Sequence, residues 1–176
     1  MSRRNGRILA VQALYAYDVG ESPLEDLLDF EWTKKEPRLD QIIPKPHTSK
    51  DKNAPSNKHE TSTEGNSDKA EEDEGTPSRK AELDFACLLV SGTVGRLEEI
   101  DCKIKNHLAE GWQFDRLDRV TLAILRMSVF TLLWQKDLNP TIVIDEAIAI
   151  SKAFAADDSF KFINAILDTI AKEEVM

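Results

Sequence analysis

The chain has 176 residues, of which 41% are hydrophobic and 31% charged, and its formal net charge is −9. This length suffices for one domain with a substantial core, and the acidic balance argues against binding nucleic acid over the whole surface while allowing a local basic patch. Neither a run of about 18 apolar residues nor a signal-peptide pattern is present, so no membrane span is predicted and the cytoplasm is the expected location. The two cysteines, Cys87 and Cys102, fall in helical patterns and are expected to be reduced thiols.

The amino-terminal segment carries three arginines, Arg3, Arg4 and Arg7, directly ahead of an apolar pattern at spacings of three and four. This pattern predicts a first helix that ends at Gly20. The arginine spacing allows the three guanidinium groups to share one face of a single turn. Positive charge at a helix amino terminus opposes the helix dipole by about 0.3 to 1 kcal/mol per charge. The spacing alone fits a phosphate-binding patch and a solvated terminus equally well.

A short second helix is predicted after Pro23, with a further turn around residues 39–43. The composition then changes sharply over residues 44–80, where only Ala54 and Ala70 are apolar and four of the seven prolines lie. Such a segment cannot bury enough surface to offset its ordering entropy. We therefore predict a disordered insert over residues 44–80.

The remainder of the chain shows helical periodicity, and no stretch alternates as a strand would. An Asp115/Asp118 pair is typical of a helix start, and Asn139 followed by Pro140 marks another. Predicted helices cover residues 81–108 with a break near residues 92–95, residues 120–134, residues 140–154, and residues 162–170 after a turn at AADDS. The predicted fold class is all-α.

The sequence offers no convincing catalytic or metal-binding motif, so neither enzymatic activity nor a cofactor is predicted. Two carboxylates, Asp157 and Asp158, precede Ser159 and are compatible with acid–base chemistry. Aspartate and serine are also favoured at helix starts, and capping is the preferred interpretation. The acidic run at residues 71–74 lacks the ligand spacing of a calcium loop.

Aromatic residues supply a second element of a nucleic-acid site, because unpaired bases stack on exposed rings. Tyr15 and Tyr17 follow the arginines within three turns. Phe160 and Phe162 are two residues apart and cannot both face the core of one helix. We expect Phe162 to be the more buried of the two.

Four segments together resemble the NusB family, whose members are bacterial transcription antitermination factors. They are RRNGRILAVQALYAYD, SGTVGRLEEID, LDRVTLAILRMSVFTLLW and NPTIVIDEAIAISKAFAADDSFKFINAILD. The resemblance covers the first helix and nearly all of residues 81–170. It implies one non-catalytic domain over residues 1–176, built from two packed small helical bundles and interrupted by the insert.

The resemblance also implies partners and site residues. NusB proteins bind boxA-type single-stranded RNA of ribosomal RNA operons together with NusE, a small-subunit ribosomal protein, and help the transcription elongation complex to read through terminators. The residues that match the family's RNA-binding positions are Arg3, Arg4, Arg7, Tyr15, Asp158, Lys161 and Phe162.

The sequence departs from the family pattern at several positions. Asn5 and Gly6 interrupt a stretch that is usually more basic, Phe160 replaces a common histidine, and Ala165 replaces a glycine. The interrupted arginine stretch leaves open an alternative in which the protein is an interaction scaffold without RNA binding. A second alternative is an RNA-binding module related to those of ribosomal RNA methyltransferases.

Overall fold

The computed structural model describes residues 3–20, 23–34 and 77–175, and these residues form helices and connections without any strand. The helices are α1 (Arg3–Val19), α2 (Leu24–Leu28), a 3₁₀ turn (Glu31–Lys34), α3 (Pro77–Val94), α4 (Leu97–Asn106), a second 3₁₀ turn (Phe114–Arg116), α5 (Arg119–Trp134), α6 (Pro140–Phe154) and α7 (Ser159–Val175). The all-α prediction is confirmed for this part of the chain. None of these helices is both long and apolar enough to cross a membrane.

Two helix starts follow the predicted capping signals. The Asp118 carboxylate accepts a hydrogen bond of 2.9 Å from the backbone N–H of Thr121 at the start of α5. The Asn139 side chain accepts one of 2.9 Å from the N–H of Thr141, and Pro140 is the first residue of α6. Each cap satisfies a backbone donor that has no partner within the helix.

The carboxyl-terminal boundary of the predicted insert was wrong. Residues 77–80 form the first turn of α3, where a proline is tolerated because the first helical N–H needs no partner. Arg79 then donates a hydrogen bond of 2.9 Å from Nη2 to Oγ1 of Thr33, which ties this turn to the first 3₁₀ turn. The predicted turn at residues 39–43 and residues 44–76 of the predicted insert lie outside the described residues.

The helices pack as two small bundles that share one central helix. Helices α1, α2 and α3 form the first bundle, and α4 to α7 form the second. Helix α5 also packs against α1 and α3, and every residue over 121–132 is buried. The predicted break after α3 falls at Gly95 and Arg96. The two-bundle fold is thereby confirmed, with α5 as the element common to both cores.

A glycine on α3 allows the close approach of α5. A Cβ atom added to Gly92 would lie 2.1 Å from Cζ of the Phe130 ring, well inside van der Waals contact. Phe130 is itself buried and stacks on Trp134 at a centroid distance of 5.8 Å. The ring therefore cannot move aside without disturbing the core of the second bundle.

We expect Gly92→Ala to lower the free energy of unfolding by about 1 to 3 kcal/mol, because overpacking forces side chains or backbone to shift. Denaturant melts at neutral pH measure this change. The control is Ser91→Ala at the neighbouring exposed position, for which we expect a change within about 0.5 kcal/mol. Equal stability of the two variants would contradict the close packing of α3 on α5.

A buried arginine joins α5 to both bundles. Arg126 is 7% exposed. Its Nε and Nη2 lie 2.8 Å from the two carboxylate oxygens of Asp101 on α4, and its Nη1 lies 2.9 Å from Asp18 on α1. The second oxygen of Asp18 accepts from Arg119 at 2.7 Å.

The pKa directions of this cluster follow from burial and pairing. Burial acts to raise the pKa of Asp18, but the hydrogen bonds and charges of Arg126 and Arg119 outweigh it, and the pKa is lowered. Burial acts to lower the pKa of Arg126, but Asp101 and Asp18 outweigh it, and the pKa is raised. Asp18 and Arg126 therefore favour each other's ionised forms.

This pairing predicts an acid-dependent loss of stability. The pKa of Asp18 is lower in the folded state than in the unfolded state. The ionised carboxylate therefore stabilises the fold fully above the unfolded-state pKa of about 3.9, and this stabilisation is lost as the pH falls through the folded-state pKa. Asp18→Asn should lower the free energy of unfolding at pH 7 by about 1 to 3 kcal/mol. Its stability should also fall less than that of the parent between pH 5 and the acid limit.

Denaturant melts at a series of pH values measure both effects. Asp137→Asn, at an exposed position between α5 and α6, is the matched control and should reproduce the parent profile. A parent-like profile for Asp18→Asn would show that the carboxylate does not stabilise the fold.

Candidate nucleic-acid interface

The three amino-terminal arginines occupy different environments on α1. Arg3 is exposed, Arg4 is half-buried, and Arg7 is only 5% exposed. The guanidinium carbons of Arg3 and Arg7 lie 5.6 and 5.5 Å from the centre of the Phe85 ring on α3. These two arginines therefore share a face, as their spacing of four predicts, while Arg4 lies further around the helix.

Arg7 contacts the protein interior. Its Nη1 lies 3.7 Å from Oε2 of Glu146 on α6, so its charge has a partner. Burial lowers the pKa of Arg7, the charge of Glu146 acts to raise it, and Arg3 acts to lower it further. An arginine nevertheless remains charged at neutral pH. The phosphate contact predicted for Arg7 stays a prediction, but the geometry gives this residue a role in packing α1 against α3 and α6.

The interruption of the basic stretch has a packing reason. Gly6 is buried, and a Cβ atom there would lie 2.8 Å from Cδ1 of Phe85 and 3.0 Å from the carbonyl oxygen of Glu82. Asn5 donates from Nδ2 to Oε1 of Glu82 at 3.4 Å. A long basic side chain at position 6 would meet α3, so this segment cannot carry a continuous row of exposed cations.

A second face of α1 leads from Arg4 to Tyr15. Ile8, Val11 and Tyr15 follow Arg4 at spacings that keep them on one side of the helix. Tyr15 is 41% exposed and lines a cavity of about 190 Å³. The other walls of the cavity are Val120 at the start of α5 and Ile150 and Phe154 on α6, with Ile8, Val11 and Gln12 below. The predicted Tyr15 site is therefore a mostly apolar depression with an exposed ring at its rim.

A larger groove of about 570 Å³ opens beyond the amino end of α5. Its walls come from the connection between α4 and α5 and from the start of α7. Its lining residues are Trp112, Arg116, Leu117, Asp118, Thr121, Asp157, Asp158, Ser159, Lys161 and Phe162. The groove thus brings together three of the predicted site residues, Asp158, Lys161 and Phe162.

The backbone and side chain of Asp158 shape one wall of the groove. Its φ is +69°, a left-handed conformation in which aspartate is enriched among residues other than glycine. Its carboxylate lies 2.7 Å from Nζ of Lys161, and both side chains are exposed. This ion pair lies in the first turn of α7, and the capping interpretation stays a prediction. A solvated pair of this kind contributes little to stability and can exchange partners.

The two phenylalanines at the start of α7 have different surroundings. Both are half-buried, and Phe162 packs against the core. The Phe160 ring lies instead beneath Nζ of Lys152 at 4.7 Å and of Lys161 at 5.8 Å. The predicted orientation of Phe162 toward the interior is confirmed.

Trp112 is a groove residue that the sequence analysis did not identify. Its indole ring stacks on Phe162 at a centroid distance of 4.5 Å and an interplanar angle of 21°. It is 54% exposed, and among the large hydrophobic side chains of the described residues only Val19 is more exposed. The signal in the sequence that could have indicated Trp112 was a tryptophan directly after Gly111 in a polar connection. Gly111 has a φ of +89°, which other residues rarely adopt.

The cavity and the groove both border the start of α5. Val120 lines the cavity, and the adjacent Thr121 lines the groove together with its cap Asp118. Arg4 and Tyr15 are about 16 Å apart along α1 at 1.5 Å per residue. Tyr15 therefore borders the cavity and Asp158, Lys161 and Phe162 line the groove, while Arg3 and Arg4 lie at the amino end of α1.

The described residues thus form an all-helical structure of two bundles, with cations and aromatic rings at the amino end of α1 and beside the start of α5. The model of the NusB family matches residues 41–172. The transcription antitermination protein NusB of Treponema denticola is 39% identical over 170 residues, which cover 97% of this chain and 96% of that protein. The chain belongs to the NusB family.

Two solved structures have the same architecture. T. maritima NusB is 26% identical, with a TM-score of 0.64, and the match covers 98% of this chain and 92% of that chain. A structure of the antitermination factors NusB and NusE in complex with dsRNA is 23% identical, with a TM-score of 0.65, over 97% and 96% of the two chains. Because the sequence identity to the NusB–NusE–dsRNA structure is low, that similarity shows a shared fold.

The buried position of Arg7 predicts a structural effect that Arg3 lacks. Arg7→Ala should lower the free energy of unfolding by about 1 to 3 kcal/mol, since it leaves Glu146 and the Phe85 ring without their buried contact. Arg3→Ala, one turn away on the same face, is the control and should change it by no more than about 0.5 kcal/mol. Thermal and denaturant melts measure both variants. A fully stable Arg7→Ala protein with reduced RNA affinity would instead identify Arg7 as an RNA contact.

Proposed function

We propose that this protein is a non-catalytic RNA-binding transcription antitermination factor of the bacterial cytoplasm. It binds boxA-type single-stranded RNA of ribosomal RNA operons together with NusE and acts within the transcription elongation complex. Membership of the NusB family supports the activity, because the curated relatives are transcription antitermination proteins. The complex of NusB, NusE and dsRNA, which has the same fold, supports the choice of partners.

The observation that supports the RNA-binding proposal is a set of cations and aromatic rings at the amino end of α1 and beside the start of α5. Arg3 and Arg4 lie at the amino end of α1, Tyr15 borders the cavity, and Lys161 and Phe162 line the groove. Single-stranded RNA is recognised by this combination, in which cations hold the backbone and aromatic rings stack on bases.

The charge distribution indicates that NusE contributes much of the affinity. The whole chain carries −9, so RNA must approach through local cations. With Arg7 engaged inside the protein, Arg3 and Arg4 are the amino-terminal arginines available for phosphates. Two neutralised phosphates on a single strand correspond to a salt slope of only about −1.4.

A scaffold without RNA binding is the second candidate function. The inward position of Arg7 and the packing of Gly6 against Phe85 favour it, because they limit the exposed cations on α1. The two functions differ in one measurable property, which is the preference for boxA-type RNA over a scrambled strand when NusE is present.

The test uses fluorescence anisotropy of a labelled boxA-type single-stranded RNA and a scrambled control, with and without NusE, over a series of salt concentrations. The parent protein should prefer the boxA-type strand and bind it more tightly with NusE. Arg3→Ala/Arg4→Ala should weaken binding several-fold at low salt and reduce the salt slope by about 1.4, while the melting temperature stays near that of the parent.

The control for this pair removes the same charge elsewhere. Lys136→Ala/Lys172→Ala changes two exposed lysines whose partners are Glu174 and Asp168, and its affinity should match that of the parent. Absence of any preference in the parent protein, with NusE association intact, would favour the scaffold function. An unchanged affinity of the arginine pair variant would remove those residues from the RNA site.

A further inference from the structure

Trp112 lies on the surface in an arrangement that a purely structural role does not require. One face of its indole is covered by Phe162 at a centroid distance of 4.5 Å, yet 54% of the residue is exposed. Phe162 is half-buried, and an aliphatic side chain from this connection would suffice to cover its ring. The stacked pair instead presents a second, open aromatic face at the mouth of a groove of about 570 Å³.

The charges around the pair favour a base over a phosphate. The groove contains the carboxylates of Asp118, Asp157 and Asp158 and two cations, Arg116 and Lys161. Lys161 is already paired with Asp158 at 2.7 Å. Carboxylates repel phosphate oxygens, but they accept hydrogen bonds from the amino and imino groups on base edges. The groove therefore suits an unpaired nucleobase, with its backbone directed away from the acidic wall.

We propose that Trp112 is a base-stacking residue, which binds one unpaired RNA base on its open face and extends the stack that it forms with Phe162. This inference rests on the proposed RNA-binding function and adds a contact that lies on the connection between α4 and α5. The position of Trp112 is fixed by the stack on Phe162 and by the turn at Gly111, so little side-chain freedom is lost when a base binds.

The first experiment compares Trp112→Ala, Trp112→Phe and Leu88→Ala in the anisotropy assay with boxA-type RNA. Loss of a stacking ring is expected to weaken binding about tenfold, within a range of about 5- to 150-fold. The phenylalanine variant should retain most of the affinity because it keeps a ring. Leu88 is 50% exposed on α3 and does not line the groove, so its variant is the control for loss of an exposed apolar side chain.

Salt dependence separates stacking from charge. Trp112→Ala should weaken binding by the same factor at every salt concentration and leave the salt slope unchanged, since no phosphate contact is lost. Arg3→Ala/Arg4→Ala should change the slope. Failure of the RNA-binding function would appear as a parent protein without measurable RNA binding, which overturns both proposals. Failure of this inference alone would appear as a binding parent and a Trp112→Ala variant within twofold of it.

The second experiment identifies the stacked base. Single abasic substitutions along the RNA are titrated against the parent and Trp112→Ala, which forms a double-mutant cycle. One position should cost about tenfold in the parent and almost nothing in the variant. In addition, RNA should quench the emission of the parent protein, which has three tryptophans, and should quench Trp112→Phe much less. Loss of affinity without such a coupled position, and with unchanged quenching, would show that Trp112 acts only through the structure of the groove.

Discussion

The ion cluster around Arg126 determines how the two bundles are held together. Its guanidinium group is almost completely buried on the central helix and is shared between Asp101 of the second bundle and Asp18 of the first. Removing one partner would leave a buried charge with incomplete compensation, which is costly in a protein interior. The cluster therefore fixes the carboxyl end of α1 relative to α5. Because Tyr15 lies one turn before Asp18, the same contact sets the position of the exposed ring beside the start of α5.

The start of α5 is consequently the point at which structure and proposed function meet. Asp118 lines the groove and also caps the amino end of α5, the helix that packs in both cores. Side chains that line the cavity and the groove are held by helices or by tight turns, so the geometry of the proposed site is largely formed without a ligand. Preorganisation of this kind reduces the entropy lost on binding. It suits a protein with few exposed cations, which cannot rely on electrostatic attraction alone.

The sequence predicted the helices more fully than it predicted the site. Spacings of three and four, together with the caps at Asp118 and Asn139, located the helices because these signals are local. The spacing of Arg3 and Arg7 predicted their shared face, but it could not show that Phe85 and Glu146 from distant parts of the chain would cover Arg7. The left-handed backbone of Asp158 and the stack of Trp112 on Phe162 are likewise products of tertiary packing. The family resemblance connected Asp158, Lys161 and Phe162 with RNA, and only the fold placed Trp112 beside them.

Because some basic positions on α1 are buried, phosphate contacts are expected to supply only part of the RNA affinity. Gly6 and Arg7 serve the contact with α3, so a dense basic stretch is incompatible with this packing. Phosphate contacts lose strength as salt increases, whereas stacking on an aromatic ring depends little on ionic strength. The proposed site has few free arginines and two exposed rings, Tyr15 and Trp112, so its binding is expected to depend less on counterion release and more on base contacts. Such a site discriminates among unpaired bases more effectively than among charged backbones, which is the property that recognition of a short RNA element requires.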